Sequence, residues 1–228
     1  MSDQNIAKKK AGEYAATLIE PGMTIGIGTG STVYFFIQAL AKKIQEGLII
    51  KGVPTSKQTQ ELATELNIPL VDLNNVDQLD ITVDGADEID PQLQLIKGGG
   101  GALLQEKIVA AASKRMIVIA DESKYVQTLG KFPLPVEVID FGWKHTMKHL
   151  QQLGCERIVL RKKDDKIFVS DHGHYILDCY FQQIKDAAQL HHQINNIAGV
   201  AENGLFINIA TSAVIAYKDG SIKEINKS

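Results

Sequence analysis

Lys97-Gly98-Gly99-Gly100-Gly101-Ala102 runs directly into a helical stretch that carries Glu106. Four consecutive glycines are costly to order, because glycine loses the most backbone freedom on folding. A plain connector needs no such run, whereas a backbone that wraps an anion does, and Lys97 places a cation at its edge. On a helix of about 3.6 residues per turn, Ala102, Leu103, Val109 and Ala110 fall within about 60° of Glu106. Leu104, Ile108 and Ala111 cover the opposite side, which leaves Gln105, Lys107 and Ser113 to face water. Glu106 is therefore predicted on a largely apolar surface, one turn from an anion-binding loop. Partial burial would raise its pKa towards the range of a general base. The bland alternative is a surface glutamate in an i,i+4 pair with lysine, but positions 102 and 110 are both alanine.

Two further loops carry chemistry. Gly26-Ile27-Gly28-Thr29-Gly30-Ser31-Thr32 lies between an apolar strand and a helix. Its glycines let backbone N–H groups approach an anion, the helix N-terminus adds partial positive charge, and Ser31 and Thr32 add hydroxyl donors. A dinucleotide fingerprint wants glycine at Ser31 and an acid where Lys51 and Gly52 stand, and a nucleotide P-loop wants a lysine that is missing. A tight turn without a ligand is the competing reading. Asp84-Gly85-Ala86-Asp87-Glu88 follows the strand 81–83, so its carboxylates sit where open α/β sheets bind ligands. The spacing is not that of an EF-hand and no histidine lies nearby, which leaves an acid/base cluster or a solvated acidic turn. Lys124, after the strand 116–120, reaches the same carboxyl edge, where it meets a phosphate or simply solvent.

The elements that must position these groups follow from periodicity. Helices are predicted at 6–19, after residue 32, at 56–66 with Ser56 as N-cap, and at 102–112. Short apolar strands are predicted at 24–27, 49–53, 69–71, 81–83 and 116–120. This alternation specifies an α/β fold, a Rossmann-like open and mostly parallel sheet with helices on both faces. Lys131-Phe132-Pro133-Leu134-Pro135 breaks any helix and reads as a crossing between domains. Beyond it, a strand at 136–139, helices at 143–153 and 181–194 and two or three strands up to 177 describe a small inserted α+β, ferredoxin-like domain. The tail from residue 205 turns apolar again and is predicted to rejoin the first sheet, with a tight turn at Asp219-Gly220. The division expected is 1–130 with 205–228, and 131–204.

The 228 residues, 44% hydrophobic and 22% charged, suit a globular protein, and the formal charge of −3 with no long basic run argues against a nucleic-acid surface. Lys8-Lys9-Lys10 opens a helix and reads first as a solvated face. Cys155 and Cys179 lie far apart outside any C-x-x-C pattern, which fits a reducing compartment without disulfide scaffold or zinc knuckle. The polar N-terminus lacks a signal-peptide core and no apolar run is long enough to cross a bilayer, so a cytoplasmic protein without membrane association is expected. His145 and His149, and His172 and His174, read as solvated or turn residues, since no third ligand accompanies them.

Together the motifs resemble ribose-5-phosphate isomerase of the A type. The matching stretches are Gly28-Thr-Gly-Ser-Thr32, Val83-Asp-Gly-Ala-Asp-Glu88, Ile96-Lys-Gly-Gly-Gly-Gly-Ala102, Glu106-Lys107, Ala120-Asp121 with Ser123-Lys124, and Leu129-Gly-Lys-Phe-Pro-Leu-Pro-Val-Glu-Val138. Asp171-His-Gly-His174 and Ala198-Gly-Val-Ala depart from the family's Asp-x-Gly-Asn and Pro-Gly-Val-Val. The resemblance implies an aldose–ketose isomerase of the pentose phosphate pathway that interconverts ribose 5-phosphate and ribulose 5-phosphate through an enediolate. It implies Glu106 as the proton shuttle between C2 and C1, Asp84 and Asp87 in ring opening and hydroxyl proton traffic, and Lys97 steadying negative charge. Lys8, Thr29, Gly30, Ser31, Thr32 and Lys124 would hold the phosphate, with Gly85, Ala86, Gly98, Gly99 and Gly100 also lining the substrate. It implies a small-molecule sugar phosphate as partner, no metal or organic cofactor, and a homodimer or homotetramer. A sugar-phosphate sensor and an acyl-CoA transferase are the competing classes. The first would place a helix-turn-helix before the sheet, and the second would use its glutamate as a nucleophile on a larger ligand.

Overall fold

Apolar segments too short to bury themselves pair with one another, and the pairing builds one central sheet. In the computed structural model, which describes residues 3–227, its strands run in the order Ile222–Asn226, Ser212–Ala216, Met116–Asp121, Ile81–Asp84, Thr24–Ile27, Lys51–Pro54. All neighbours are parallel except Ile222–Asn226, which runs antiparallel to Ser212–Ala216. Every residue of Met116–Asp121 is buried. That continuous burial, without alternation, is what a parallel strand covered on both faces requires.

This sheet belongs to the first of two compact units, made of the described residues of Met1–Ala86, Gln105–Tyr125 and Asn208–Ser228. The helices Asp3–Thr17 and Ser31–Gln45 pack closely, and a Cβ on Gly12 would lie only 2.5 Å from Phe36 N. Ile25, Ile27, Val33, Phe36, Ile37, Leu40, Ile81, Val83 and Ile119 form the main core. Burying each such large side chain stabilises by about 1.5–3 kcal/mol relative to exposure. Val53, Leu79 and Val109 form a smaller cluster involving the helix Leu103–Ala111. Ser56 caps the helix Lys57–Glu65, accepting from Thr59 N as its sequence position predicts.

The second unit comprises Asp87–Leu104 and Val126–Ile207. Its larger sheet is antiparallel, in the order Val200–Asn203, Leu134–Val138, Tyr175–Tyr180, Arg157–Leu160. With the helices Trp143–Gln151 and Ala187–Asn195, the chain order is strand, helix, strand, strand, helix, strand, the ferredoxin-like arrangement. Val136, Val138, Leu150, Leu177, Leu190 and Ile194 lie in its core.

Several boundaries differ from the sequence reading. Residues 87–104 group with the second unit, because Glu88–Ile89 and Leu95–Ile96 form a hairpin extended by Leu205–Phe206. The return to the parallel sheet therefore starts at Ser212–Ala216 and not at residue 205. Pro135 is inside a strand, opposite Asp178, where the prolines of 131–135 had suggested only a crossing. The segment 69–71 makes a single bridge, Leu70 to Gly52, in place of a strand. The helix predicted from 181 starts at Ala187, since Gln182 adopts φ 59° and Asp186 caps by accepting from Gln189 N at 2.9 Å. Among the described residues, no helix is long and apolar enough to cross a membrane.

Candidate active site

In the first unit the chain leaves Thr24–Ile27 for Lys51–Pro54 on one side and returns to Ile81–Asp84 on the other. The carboxyl ends of Thr24–Ile27 and Ile81–Asp84 thus mark a topological switch point, where open α/β sheets form a ligand crevice. Asp84, fully buried, stands there. Its Oδ1 accepts from Thr29 N at 3.0 Å and from Gly85 N at 2.7 Å, locking the two loops together. Glycine at 28 is required by this contact: a Cβ would lie 2.2 Å from Asp84 Oδ1.

Thr29 Oγ1 donates to Ser56 Oγ at 2.8 Å and lies 2.8 Å from Thr55 Oγ1 and 3.0 Å from Thr59 Oγ1. Thr59 Oγ1 in turn donates to Gly28 O at 2.8 Å. These hydroxyls anchor the loop; the run Thr55-Ser56-x-x-Thr59 after a parallel strand was the signal that could have revealed them. Gly30, at φ 125°, turns the backbone into the N-terminus of Ser31–Gln45. Lys8 Nζ donates to Ser31 Oγ at 3.0 Å. Lys8 is thus more than a solvated residue of a basic run: it joins a hydroxyl and a helix N-terminus, a combination suited to a phosphate. Lys124 lies in the 3₁₀ turn Glu122–Lys124, which follows Met116–Asp121 and is capped by Asp121 Oδ1 accepting from Ser123 N at 3.0 Å.

Glu106 sits in the first turn of Leu103–Ala111 and is 4% exposed. Gln105 Nε2 donates to Pro54 O at 3.0 Å, tying this helix to the sheet's edge. Lys107, expected in water, is 8% exposed, while Ile108, expected to be covered, is 49% exposed. The reason is helical geometry: Lys107 lies one turn after Leu103 and shares its buried stripe, whereas Ile108 points opposite Glu106.

In the second unit, Asp87 Oδ2 accepts from Gly99 N at 2.7 Å, and a Cβ on Gly99 would come within 2.6 Å of Asp87 Oδ1. Lys97 is 2% exposed; its N–H donates to Gly204 O at 2.9 Å and its Nζ lies 5.4 Å from the centre of the Phe206 ring. Gly98 and Gly101 adopt φ 102° and 83°, and Gly101 N donates to Gly98 O at 2.9 Å to close the turn. Three of the four glycines therefore answer to backbone shape or to Asp87. A Cβ on Gly100 would meet nothing within 4 Å. Glu88 is no solvated acid: the residue is 4% exposed, and its carboxylate accepts from Gly130 N at 2.7 Å and Phe132 N at 2.6 Å.

The weaker signals separate in the same way. His145, His149 and His172 are exposed. His174 Nδ1 lies 3.0 Å from Oε1 of the buried Glu137, a contact its sequence position did not foretell. Cys155 and Cys179 meet in one apolar cluster and are both free thiols. The neighbouring thiol holds Cys155 below its usual pKa and, with burial, raises that of Cys179. Among the described residues, no group of three or more His, Cys, Asp or Glu side chains could hold a metal ion.

Residues 51–220 match the protein family described as Ribose 5-phosphate isomerase A (phosphoriboisomerase A). A protein of Bacillus mycoides named ribose-5-phosphate isomerase A is 57% identical over 218 residues, which is 95% of this chain and 98% of that one. The solved ribose 5-phosphate isomerase of Plasmodium falciparum superposes with a TM-score of 0.95 at 36% identity, covering 98% of this chain and 99% of that one. The ribose 5-phosphate isomerase A of Methanocaldococcus jannaschii gives 0.92 at 42% identity, covering 99% of this chain and all (100%) of that one.

Proposed function

Because the chain belongs to the ribose 5-phosphate isomerase A family, which interconverts ribose 5-phosphate and ribulose 5-phosphate, we propose that it catalyses this isomerisation with Glu106 as its base. The observation that carries the assignment of the base is the burial of Glu106, 4% exposed in the first turn of the helix after the glycine-rich loop. In the open-chain aldose, the Glu106 carboxylate takes the proton from C2 and electrons flow to the aldehyde oxygen, giving an enediolate. Glu106 then delivers a proton to C1, after exchange of its carboxyl proton with solvent, and the hydroxyl proton on O2 moves to O1, leaving the ketone at C2.

Negative charge develops on O1 during this transfer, and Lys97 with backbone N–H groups of the glycine-rich loop steadies it, while Gly98, Gly99 and Gly100 line the substrate. Asp84 and Asp87 serve ring opening and the hydroxyl protons. Asp84 also keeps the phosphate loop in shape through its bonds to Thr29 N and Gly85 N. Lys8, Thr29, Gly30, Ser31, Thr32 and Lys124 hold the phosphate, a remote handle that keeps the reacting carbons still. Gly85 and Ala86 line the sugar. The active form is a homodimer or homotetramer working in the cytoplasm without metal or organic cofactor.

The test follows ribose 5-phosphate by proton NMR in D₂O, with the parent protein and Glu106→Gln in parallel. The parent should form ribulose 5-phosphate with deuterium at C1, and the variant should lose about 10²- to 10⁴-fold in kcat. Near-parental turnover in Glu106→Gln would remove it as the base.

A further inference from the structure

Arg161 follows the strand Arg157–Leu160 and is fixed by its own backbone. Its N–H donates to Ile176 O at 2.9 Å, and its carbonyl accepts from Phe168 N at 3.0 Å. The side chain is 13% exposed and that of Asp178 is 15% exposed. Nε donates to Asp178 Oδ2 at 3.0 Å, and Nη2 donates to Oδ1. The remaining terminal nitrogen, Nη1, donates to Gly98 O at 2.7 Å and to Gly99 O at 3.2 Å. Two successive carbonyls of the glycine-rich loop thus converge on one planar cation whose orientation is set by a two-point grip on a carboxylate.

The consequence lies on the other side of each peptide. A trans peptide is planar, so its N–H points opposite to its C=O. Holding Gly98 O against Arg161 turns the Gly99 N–H away, and there it donates to Asp87 Oδ2 at 2.7 Å. Holding Gly99 O turns the Gly100 N–H away from Arg161 in the same manner, at a residue where even an added Cβ would find open space. Phe168 buttresses the arrangement: its ring centre is 5.9 Å from Arg161 Cζ, and a Cβ on Gly101 would come within 2.4 Å of the same ring.

We propose that Arg161, held by Asp178, is a positioning residue for the isomerisation. It fixes the Gly98–Gly99 and Gly99–Gly100 peptide planes so that Asp87 is oriented and the Gly100 N–H is presented to a substrate oxygen. The proposal rests on the assignment of Asp87 and the glycine loop to the sugar. Arg161 acts through these groups and touches no reacting atom, so its removal slows the chemical step more than it weakens capture of the phosphate. Lysine at the position keeps a positive charge but not the fork that reaches carboxylate and carbonyls together.

The experiment compares parent, Arg161→Lys and Arg161→Ala for kcat and KM with ribose 5-phosphate, each with its melting temperature and with added guanidinium ion at a concentration the parent tolerates. Both variants should lose about 10- to 100-fold in kcat with KM changed less than about threefold, the cost of a misplaced reacting geometry. Guanidinium should restore part of the kcat of Arg161→Ala. Parental kcat in either variant overturns the proposal. So does a loss that tracks the folded fraction in both variants and that guanidinium leaves unchanged. Failure of the parent itself to isomerise the sugar is a different result and sinks the functional assignment instead.

Discussion

Replacing Glu88 by glutamine changes one oxygen to NH₂ with almost no change of shape. The parent carboxylate uses both oxygens, Oε2 for Gly130 N at 2.7 Å and Oε1 for Phe132 N at 2.6 Å. Whichever way the amide is placed, one backbone N–H then faces a donor. The hydrogen bond lost is to a charged acceptor, worth about 1.5–3 kcal/mol, and a buried N–H left unsatisfied costs about 1–3 kcal/mol. The two figures overlap, so Glu88→Gln should lower the unfolding free energy by about 2–4 kcal/mol, because Glu88 is 4% exposed and Gly130 is buried. At about 2–4 °C per kcal/mol for a chain of this length, the melting temperature should fall by about 5–15 °C. Urea unfolding and a thermal melt at pH 7 measure both. A change within about 0.5 kcal/mol, the level of an ordinary surface substitution, would refute the view that Glu88 staples the 130–132 segment.

Gly28→Ala puts a Cβ 2.2 Å from Asp84 Oδ1 and should cost about 1–3 kcal/mol of stability and at least about tenfold in kcat/KM. Parental turnover at 25 °C would show that the loop adjusts freely. Asp80→Asn tests a linkage: the Lys114 ammonium at 2.9 Å, then Thr24 N, hold the Asp80 carboxyl below its ordinary pKa. Since the folded pKa is the lower one, the parent's advantage is complete above the unfolded value and is lost as pH falls through the folded value. The side chain is 34% exposed, so that advantage should stay below about 1 kcal/mol in urea titrations. An advantage that grows as the pH falls would reverse the sign of the argument.

Local signals were readable where local physics decides. The strand Thr24–Ile27, the helix opening at Ser31 and the Ser56 cap follow from apolar runs, a glycine turn and a hydroxyl in the right place. The burial of Glu106 followed from its neighbours on one helix. Lys107 and Ile108 were misplaced because the projection was centred on Glu106, whereas Leu103 also defines the packed stripe. What stayed hidden depends on residues distant in sequence. Arg161 reaches Gly98 across 63 positions, and no periodicity around either one announces it. Glu88 looked like part of an acidic turn because its two donors lie over forty residues away, with separations of 42 and 44. The grouping of 87–104 with the second unit turns on two-residue strands, too short to leave a pattern.

The strand Ser212–Ala216 closes on Met116–Asp121, so residue 212 sits beside residue 117 and the whole segment 126–207 is threaded between them. During synthesis, Met116–Asp121 is made long before its neighbour and leaves one row of N–H and C=O groups open to any passing strand. Closing a flexible loop of that length carries an entropic penalty that grows with its logarithm. If the intervening segment folds first, it brings positions 126 and 207 to a fixed separation and turns a long closure into a short one. The order of translation and the order of assembly would in this way be coupled, with early folding of the small unit shortening the closure of the sheet.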